Sequence, residues 1–392
     1  VAATIKKYPY PLIMIGVFTV VTTTGTGSQA EAAQLKLVPS ISVSEKYDDN
    51  VFVAEEDLEA DYITAIAPEL TASYEAKTVR MSAGLNARSE LFAQHTELNN
   101  LQYGANLRLN AAQLTKNTSL TVSDLFRFTP EPPDFLVGED EEAITTGGIR
   151  IPRGDSLSNL VRIGMTQKIS QKNDGKIEYA NRVRVFEDPS LVDSTSHSAQ
   201  TGLDRQIGPR DVLNTGYQYQ LFLPKEGEKS QSHNASVGLD HRFTQTFTVN
   251  IRIGSTYVIR DPDNAFVFSG RLGVRTRFKF THLNLSYSRT VDTSGLSAEP
   301  ITSQVVSATM ERDLTRHLAI HLTQNYATNR SALTDKVDLQ SWRTRIGLTM
   351  EFTRWLRGEA EYHYFFQESN GSVGRDIRRN QAFVILSASL PD

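Results

Sequence analysis

From residue 34 to the end of the chain, apolar and polar residues alternate with a period of two. In "FTVNIRIGSTYVIR", residues 247–260, one face carries Phe247, Val249, Ile251, Ile253, Tyr257 and Ile259. The other carries Thr248, Asn250, Arg252, Gly254, Thr256 and Arg260. Residues 266–278 repeat the device, with Phe266, Phe268, Leu272, Val274 and Phe278 against Ser269, Arg271, Gly273, Arg275 and Arg277. So do residues 342–352, where Trp342, Ile346, Leu348, Met350 and Phe352 oppose Arg343, Arg345, Gly347 and Glu351. Near the start, Val79, Met81, Leu85 and Leu91 oppose Arg80, Asn86, Arg88 and Glu90. Period two is the side-chain spacing of a pleated strand. The alternating segments are more than twice as long as the strands of about 5–6 residues found in ordinary sandwiches. Long strands with one apolar face and one arginine-bearing face fit a closed transmembrane barrel, apolar toward lipid and polar toward the lumen. Closure also leaves no unpaired backbone in the hydrocarbon.

The links alternate as well. Tight ones fall at 75–77, 171–173, 208–210, 244–245, 279–280, 314–315 and 353–354. Longer polar ones fall at 48–60, 129–154, 189–194, 224–228, 261–264, 294–298, 330–334 and 369–374. Short periplasmic turns and longer outside loops are the habit of outer-membrane barrels. The expected fold is therefore all-β, a single transmembrane antiparallel β-barrel of about 18 strands, with 16 or 20 as alternatives. It occupies residues 34–392, in the outer membrane of a Gram-negative bacterium, against lipid and lipopolysaccharide.

Residues 1–33 read as a cleaved signal peptide. Lys6 and Lys7 supply the basic start, "LIMIGVFTVV" (12–21) the apolar stretch, and Ala30 and Ala32 the small residues of a cleavage site. That stretch is short of the roughly 20 residues a spanning helix needs.

Composition narrows the chemistry. The 392 residues carry a net charge of -4, which argues against nucleic acid as a partner. Cysteine is absent, so disulfides, thiolate metal sites and haem attachment through CxxCH are excluded. No nucleophile-elbow, P-loop, dinucleotide-binding or HExxH motif occurs among these residues, and a non-enzymatic chain without a cofactor is expected. The eight histidines are scattered, most of them near expected loops or turns. The acidic runs "EEDLEAD" and "GEDEE" read as solvated loops, with divalent cations bridging lipopolysaccharide as the alternative. The link 129–154, with "PEPPDF" and "TTGG", is long enough to fold inward and constrict the pore.

Alternation directs a set of charged residues inward: Arg80, Arg88, Arg162, Arg182, Arg184, Arg242, Arg252, Arg271, Arg275, Arg277, Arg343 and Arg345. Glu90, Glu178, Asp240, Glu351, Glu359 and Glu361 point the same way. Part of this set forms salt bridges that stiffen the barrel. The surplus of arginine over acid makes the lumen a path that favours anions.

The opening of the expected barrel, "PSISVSEKYDDNVF" followed by "DYITAIAPELTASYE", resembles that of the β-barrel porins found with bacterial exopolysaccharide gene clusters. The shared features are an alternating first strand running into a Tyr-Asp-Asp-Asn rim, then a strand with Ile63, Thr64 and Pro68. The resemblance implies an exit for an exopolysaccharide, working with a periplasmic polysaccharide export protein and inserted by the barrel assembly machinery. Strands of such barrels end on an aromatic which that machinery reads. Here "NQAFVILSASLPD" carries its aromatic at Phe383, so insertion on a weaker signal is expected. With the arginine set, the polymer is expected to be acidic. A general or anion-selective diffusion porin, and a barrel sheath around an electron-transfer cytochrome, are the rival readings.

Overall fold

The computed structural model describes residues 34–130, 149–151 and 153–390; the expected signal peptide lies outside them. Eighteen strands follow one another in the chain. The first six are β1 (Gln34–Asp48), β2 (Asp61–Glu75), β3 (Val79–Phe92), β4 (Asn100–Thr115), β5 (Thr118–Thr129) and β6 (Ser156–Lys168). Then come β7 (Asn173–Phe186), β8 (Ser194–Gln206), β9 (Asp211–Pro224), β10 (Ser230–Arg242), β11 (Phe247–Arg260) and β12 (Asp263–Arg277). The last are β13 (Thr281–Thr293), β14 (Pro300–Asp313), β15 (Leu318–Ser331), β16 (Asp338–Glu351), β17 (Leu356–Ser369) and β18 (Ile377–Ser389). Each strand pairs antiparallel with the next in sequence, and β18 pairs back onto β1, from Ser40 opposite Ser389 to Asp48 opposite Gln381. The sheet is thus a closed 18-stranded barrel. Its strands of 12 to 16 residues exceed the roughly 9–11 that a tilted strand needs to cross a bilayer.

Two links escaped the sequence reading. One is 93–99, with a short helical turn at Thr96–Leu98; the other is 116–117, between β4 and β5. A register shift between Ala111 and Thr115 explains the second, because it breaks the period-two pattern where the turn should show.

The outer face is apolar at alternate positions. Leu37, Val43, Leu85, Ile253 and Leu272 are exposed, and Phe266 reaches 74%. So much solvent-facing apolar surface has a physical rationale only against lipid. Aromatic residues border the belt. Toward the long-loop end Tyr47 stands 5.3 Å from Tyr62, and Tyr103 stacks on Phe128 at 4.9 Å. Toward the short-turn end Phe243 stacks on Phe247 at 5.1 Å, and Phe352 and Trp355 are exposed at the same end in the β16–β17 link. A closed antiparallel barrel with an apolar belt between aromatic girdles is built for the outer membrane.

Three clusters of buried apolar residues lie inside the barrel at the long-loop end. Ile149, Leu191, Leu296, Ile301, Val337 and Leu339 form one cluster, drawn from four links and two strands. Val53 packs with Val305, Ala327, Phe365 and Ile377 in a second, and Val51 with Ile63 and Phe92 in a third.

Candidate functional site

The site is the lumen, and its inner face follows from alternation along each strand. On β6, exposed Ile163 and Met165 face outward, which turns Arg162 inward. On β7 the same parity turns in Arg182 and Arg184 against outward Ile177 and Tyr179. On β11 and β12, outward Ile251, Ile253, Phe268 and Leu272 turn in Arg252, Arg271, Arg275 and Arg277. Arg162, Arg182, Arg252 and Arg271 line one cavity together with Glu178, Gln200, Gln218 and Asn234. Arg252 and Arg271 are direct cross-strand neighbours, so two like charges share one patch of wall. Arg242, Arg275 and Arg277 stand nearer the short-turn end, with Arg242 opposite Thr248 and Arg277 opposite His282.

Several members of the set have contacts that fix their place in the barrel. Arg80 pairs with Glu75 at 2.8 Å on the exposed rim. Arg88 pairs with Glu90 at 3.1 Å. Arg184 Nη1 donates to the Thr293 carbonyl at 3.0 Å. Arg343 lies opposite Phe365 in the β16–β17 register, and Glu351 opposite Arg357.

The wall made by β14–β17 has the opposite character. Toward the short-turn end it gathers Glu311, Asp313, Glu351, Glu359 and Glu361 around Arg345, Arg357 and His321. Glu361 is the hub. Arg345 Nη2 donates to its Oε1 at 2.6 Å, His363 Nε2 meets its Oε2 at 2.8 Å and His321 Nε2 its Oε1 at 3.1 Å. Gly347 makes room for this, because a Cβ there would fall on the His321 ring. The lumen is therefore cationic on one side and predominantly acidic on the other.

Sequence reasoning missed that cluster. It put most histidines near loops and turns, and His95 and His317 do lie in links while His241 and His282 each stand one residue from a strand end. His197, His233, His241, His282, His321 and His363 are all on strands. An imidazole on the inner face meets polar groups rather than lipid, so it costs little there. His197 and His233 are on the outer face and are bonded to the hydroxyls of Tyr179 at 2.8 Å and Tyr217 at 2.7 Å.

The long-loop end is capped from within. The link 49–60 turns into the barrel with Val51 and Val53 fully buried. Asn50 fastens it: its Nδ2 donates to the carbonyls of Ala54 at 2.8 Å and Arg378 at 3.1 Å. Arg153 Nη1 donates to the Val51 carbonyl at 2.8 Å, and its guanidinium lies 4.8 Å from the Phe92 ring. Arg150 reaches β17 on the far wall. Its N–H donates to Gln367 Oε1 at 2.9 Å, and its guanidinium lies 5.5 Å from the Phe365 ring. Burial, reinforced by the nearby Arg379 charge, lowers the Arg150 pKa well below its usual range. The end of the link 129–154 thus crosses the lumen; its residues 131–148, with "GEDEE", lie outside the described residues.

The acidic run in 49–60 has a structural use at its end. His95, from the link 93–99, bridges Glu59 Oε2 at 2.6 Å and Asp61 Oδ2 at 3.2 Å, while its ring packs edge-on to Phe52 at 5.1 Å. The Glu59 contact, with Asp61 adding, raises the His95 pKa above 6.5. Among the described residues no three His, Asp or Glu side chains are placed to hold a metal ion.

No family model matches the chain, and no curated protein matches it. Among solved structures, the outer membrane protein opdK from Pseudomonas aeruginosa shares 10% identity at a TM-score of 0.47, over 91% of this chain and 98% of that one. OccAB3 of Acinetobacter baumannii gives 10% and 0.47, over 91% and 99%. The FrpB iron transporter from Neisseria meningitidis (F5-1 variant) gives 8% and 0.47, over 84% and 61%. The barrel rests on its own strand pairing rather than on these likenesses.

Proposed function

We propose that this chain is a gated outer-membrane conduit for a secreted acidic exopolysaccharide, delivered by a periplasmic polysaccharide export protein. The arginine wall carries the reading: Arg162, Arg182, Arg252 and Arg271 share one cavity with amide side chains suited to sugar hydroxyls. Fixed positive charge at low dielectric draws anions into a channel. Spread over four strands, it holds a polyanion at many weak points, so that a polymer slides without being trapped. The cap of inward-folded links fits a regulated exit, since a polymer chain needs that cap displaced before it passes.

The same cap favours a second reading, an anion-selective diffusion porin, because inward-folded links occupy part of the lumen at the long-loop end. It speaks against a cytochrome sheath, whose occupant would need the space that Val53, Ile149 and Leu296 fill. Deleting the gene and assaying surface polysaccharide separates the first two. Loss of polymer with normal small-anion uptake supports export, and unchanged polymer with impaired anion uptake overturns it.

A further inference from the structure

The wall between β12 and β13 is only half paired. Pairing runs from Arg277 opposite His282 up to Gly270 opposite Arg289, and stops there. Above that point seven residues of β12, Asp263–Ser269, have no partner on the β13 side, although β11 pairs with all of them. β13 meanwhile stays paired with β14 up to Thr293 opposite Pro300.

The cause is visible at the tip of the β13–β14 hairpin, which leans across the lumen instead of standing in the wall. Arg184 on β7 holds the Thr293 carbonyl at 3.0 Å, and the Val192 N–H holds the Gly295 carbonyl at 2.8 Å. Gly295 lies against Phe186 so closely that a Cβ would come within 2.6 Å of the ring. The hairpin is thereby drawn toward β7 and away from β12.

The split lies within the apolar belt, since Phe266 and Phe268 on its β12 edge are exposed outward. An open strand edge facing hydrocarbon is strongly disfavoured, because its N–H and C=O groups find no partner there. The cavity that holds Arg252 and Arg271 extends to this point, where Ser269, Gly270, Arg289 and Asp292 also line it. Arg289, at the crotch of the split, has its Nε buried with no hydrogen-bond partner among the described residues. A polar, cationic cavity thus meets the bilayer through a gap edged by phenylalanine.

We infer that the β12–β13 split is a lateral portal, through which an amphiphile with an anionic, hydroxyl-bearing head passes between the lumen and the outer leaflet. The head belongs with Arg252, Arg271 and Arg289, the tail with Phe266, Phe268 and lipid, and the polar edge of β12 with the head in transit. The inference deepens the conduit reading and rests on its arginine-lined lumen.

The test uses a dodecyl glucuronide with a photoactivatable diazirine on the sugar, dissolved in phosphatidylcholine vesicles holding the full barrel, with the same glucuronide lacking the alkyl chain added in water as control. Peptides labelled on illumination are mapped by mass spectrometry. The staple is Ser269→Cys with Thr290→Cys, the pair that would face each other if the register continued, in a chain free of other cysteines. It is closed by oxidation, or by a short bismaleimide if the gap is too wide for a disulfide. The alkyl probe is expected to label lumenal residues of β9 and β11, and stapling should cut that labelling at least fivefold while control labelling stays unchanged. Alkyl labelling confined to the lipid face, or equal with and without the staple, overturns the portal and leaves the conduit standing. Failure of the water-soluble control to label the lumen overturns the anion-binding conduit, and the portal with it.

Discussion

Arg379 and Asp48 form a fully buried ion pair at the seam where the last strand meets the first. Arg379 Nε donates to Asp48 Oδ1 at 2.7 Å, and Nη2 donates to Oδ2. Asp48 also accepts from Gln381 Nε2 at 2.8 Å and from the Asn50 N–H at 3.2 Å. One carboxylate therefore ties together β1, β18 and the first residues of the inward-folded link.

Breaking this pair from one side strands a buried charge. Asp48→Ala is expected to cost about 3–5 kcal/mol, while Asp48→Leu with Arg379→Met recovers most of the loss. The midpoint temperature at which the barrel loses its folded mobility on unboiled gels measures both. Equal destabilisation by the single and double changes would show that packing, not charge, governs the seam.

The His95 bridge sets a pH dependence. Its folded pKa lies above the ordinary 6.5 because the protonated ring binds Glu59 and Asp61. Its stabilisation is therefore fully present below about pH 6.5 and is lost as pH rises through the higher folded value. Residues 49–60 should become more protease-sensitive across that rise. His95→Gln should be sensitive at every pH, and a wild type whose sensitivity falls with rising pH would contradict the assignment.

Much of the barrel was legible because a bilayer imposes a plain code on strands. Ile251 and Ile253 must face lipid, so Arg252 must face inward, and each strand repeats the same inference. The cap and the Glu361 cluster were not legible, because they depend on distant strands meeting. Nothing near Val53 names Phe365 as its neighbour, and nothing near Glu361 names His321. The half-open wall was hidden for a related reason: Phe266 and Phe268 alternate as on any paired strand, and the contacts that hold the β13–β14 tip at β7, from Arg184, Phe186 and Val192, come from distant parts of the sequence.

Gly295 offers a way to loosen the cap. Gly295→Val puts a side chain into the Phe186 ring and must push the hairpin tip from its seat on β7. The variant should assemble, show larger single-channel conductance and be cleaved more readily in 294–299. A conductance equal to wild type would mean that this tip does not restrict the path.

The charge asymmetry of the lumen gives the most direct functional prediction. Arg252, Arg271, Arg275 and Arg277 share the face opposite Ile251, Phe268 and Val274. Pointing into lipid at mid-depth, Arg252 and Arg271 would each cost about 2–4 kcal/mol, and Arg275 and Arg277, nearer the short-turn end, less; the alternation of β11 and β12 turns all four inward. Next along the wall, on β14–β17, are the acids around Glu361, and Arg345, His321 and His363 already engage that carboxylate. The engaged acid attracts cations less than a free one, whereas Arg252 and Arg271 reinforce one another. Wild type should therefore prefer anions in planar bilayers. Changing all four arginines to Gln should remove the preference while the barrel still assembles. Glu361→Gln should strengthen it, because Arg345 is then left without its carboxylate. Cation preference in the wild type, or indifference to both sets of changes, would mean that the acidic wall dominates and that these arginines serve only as struts.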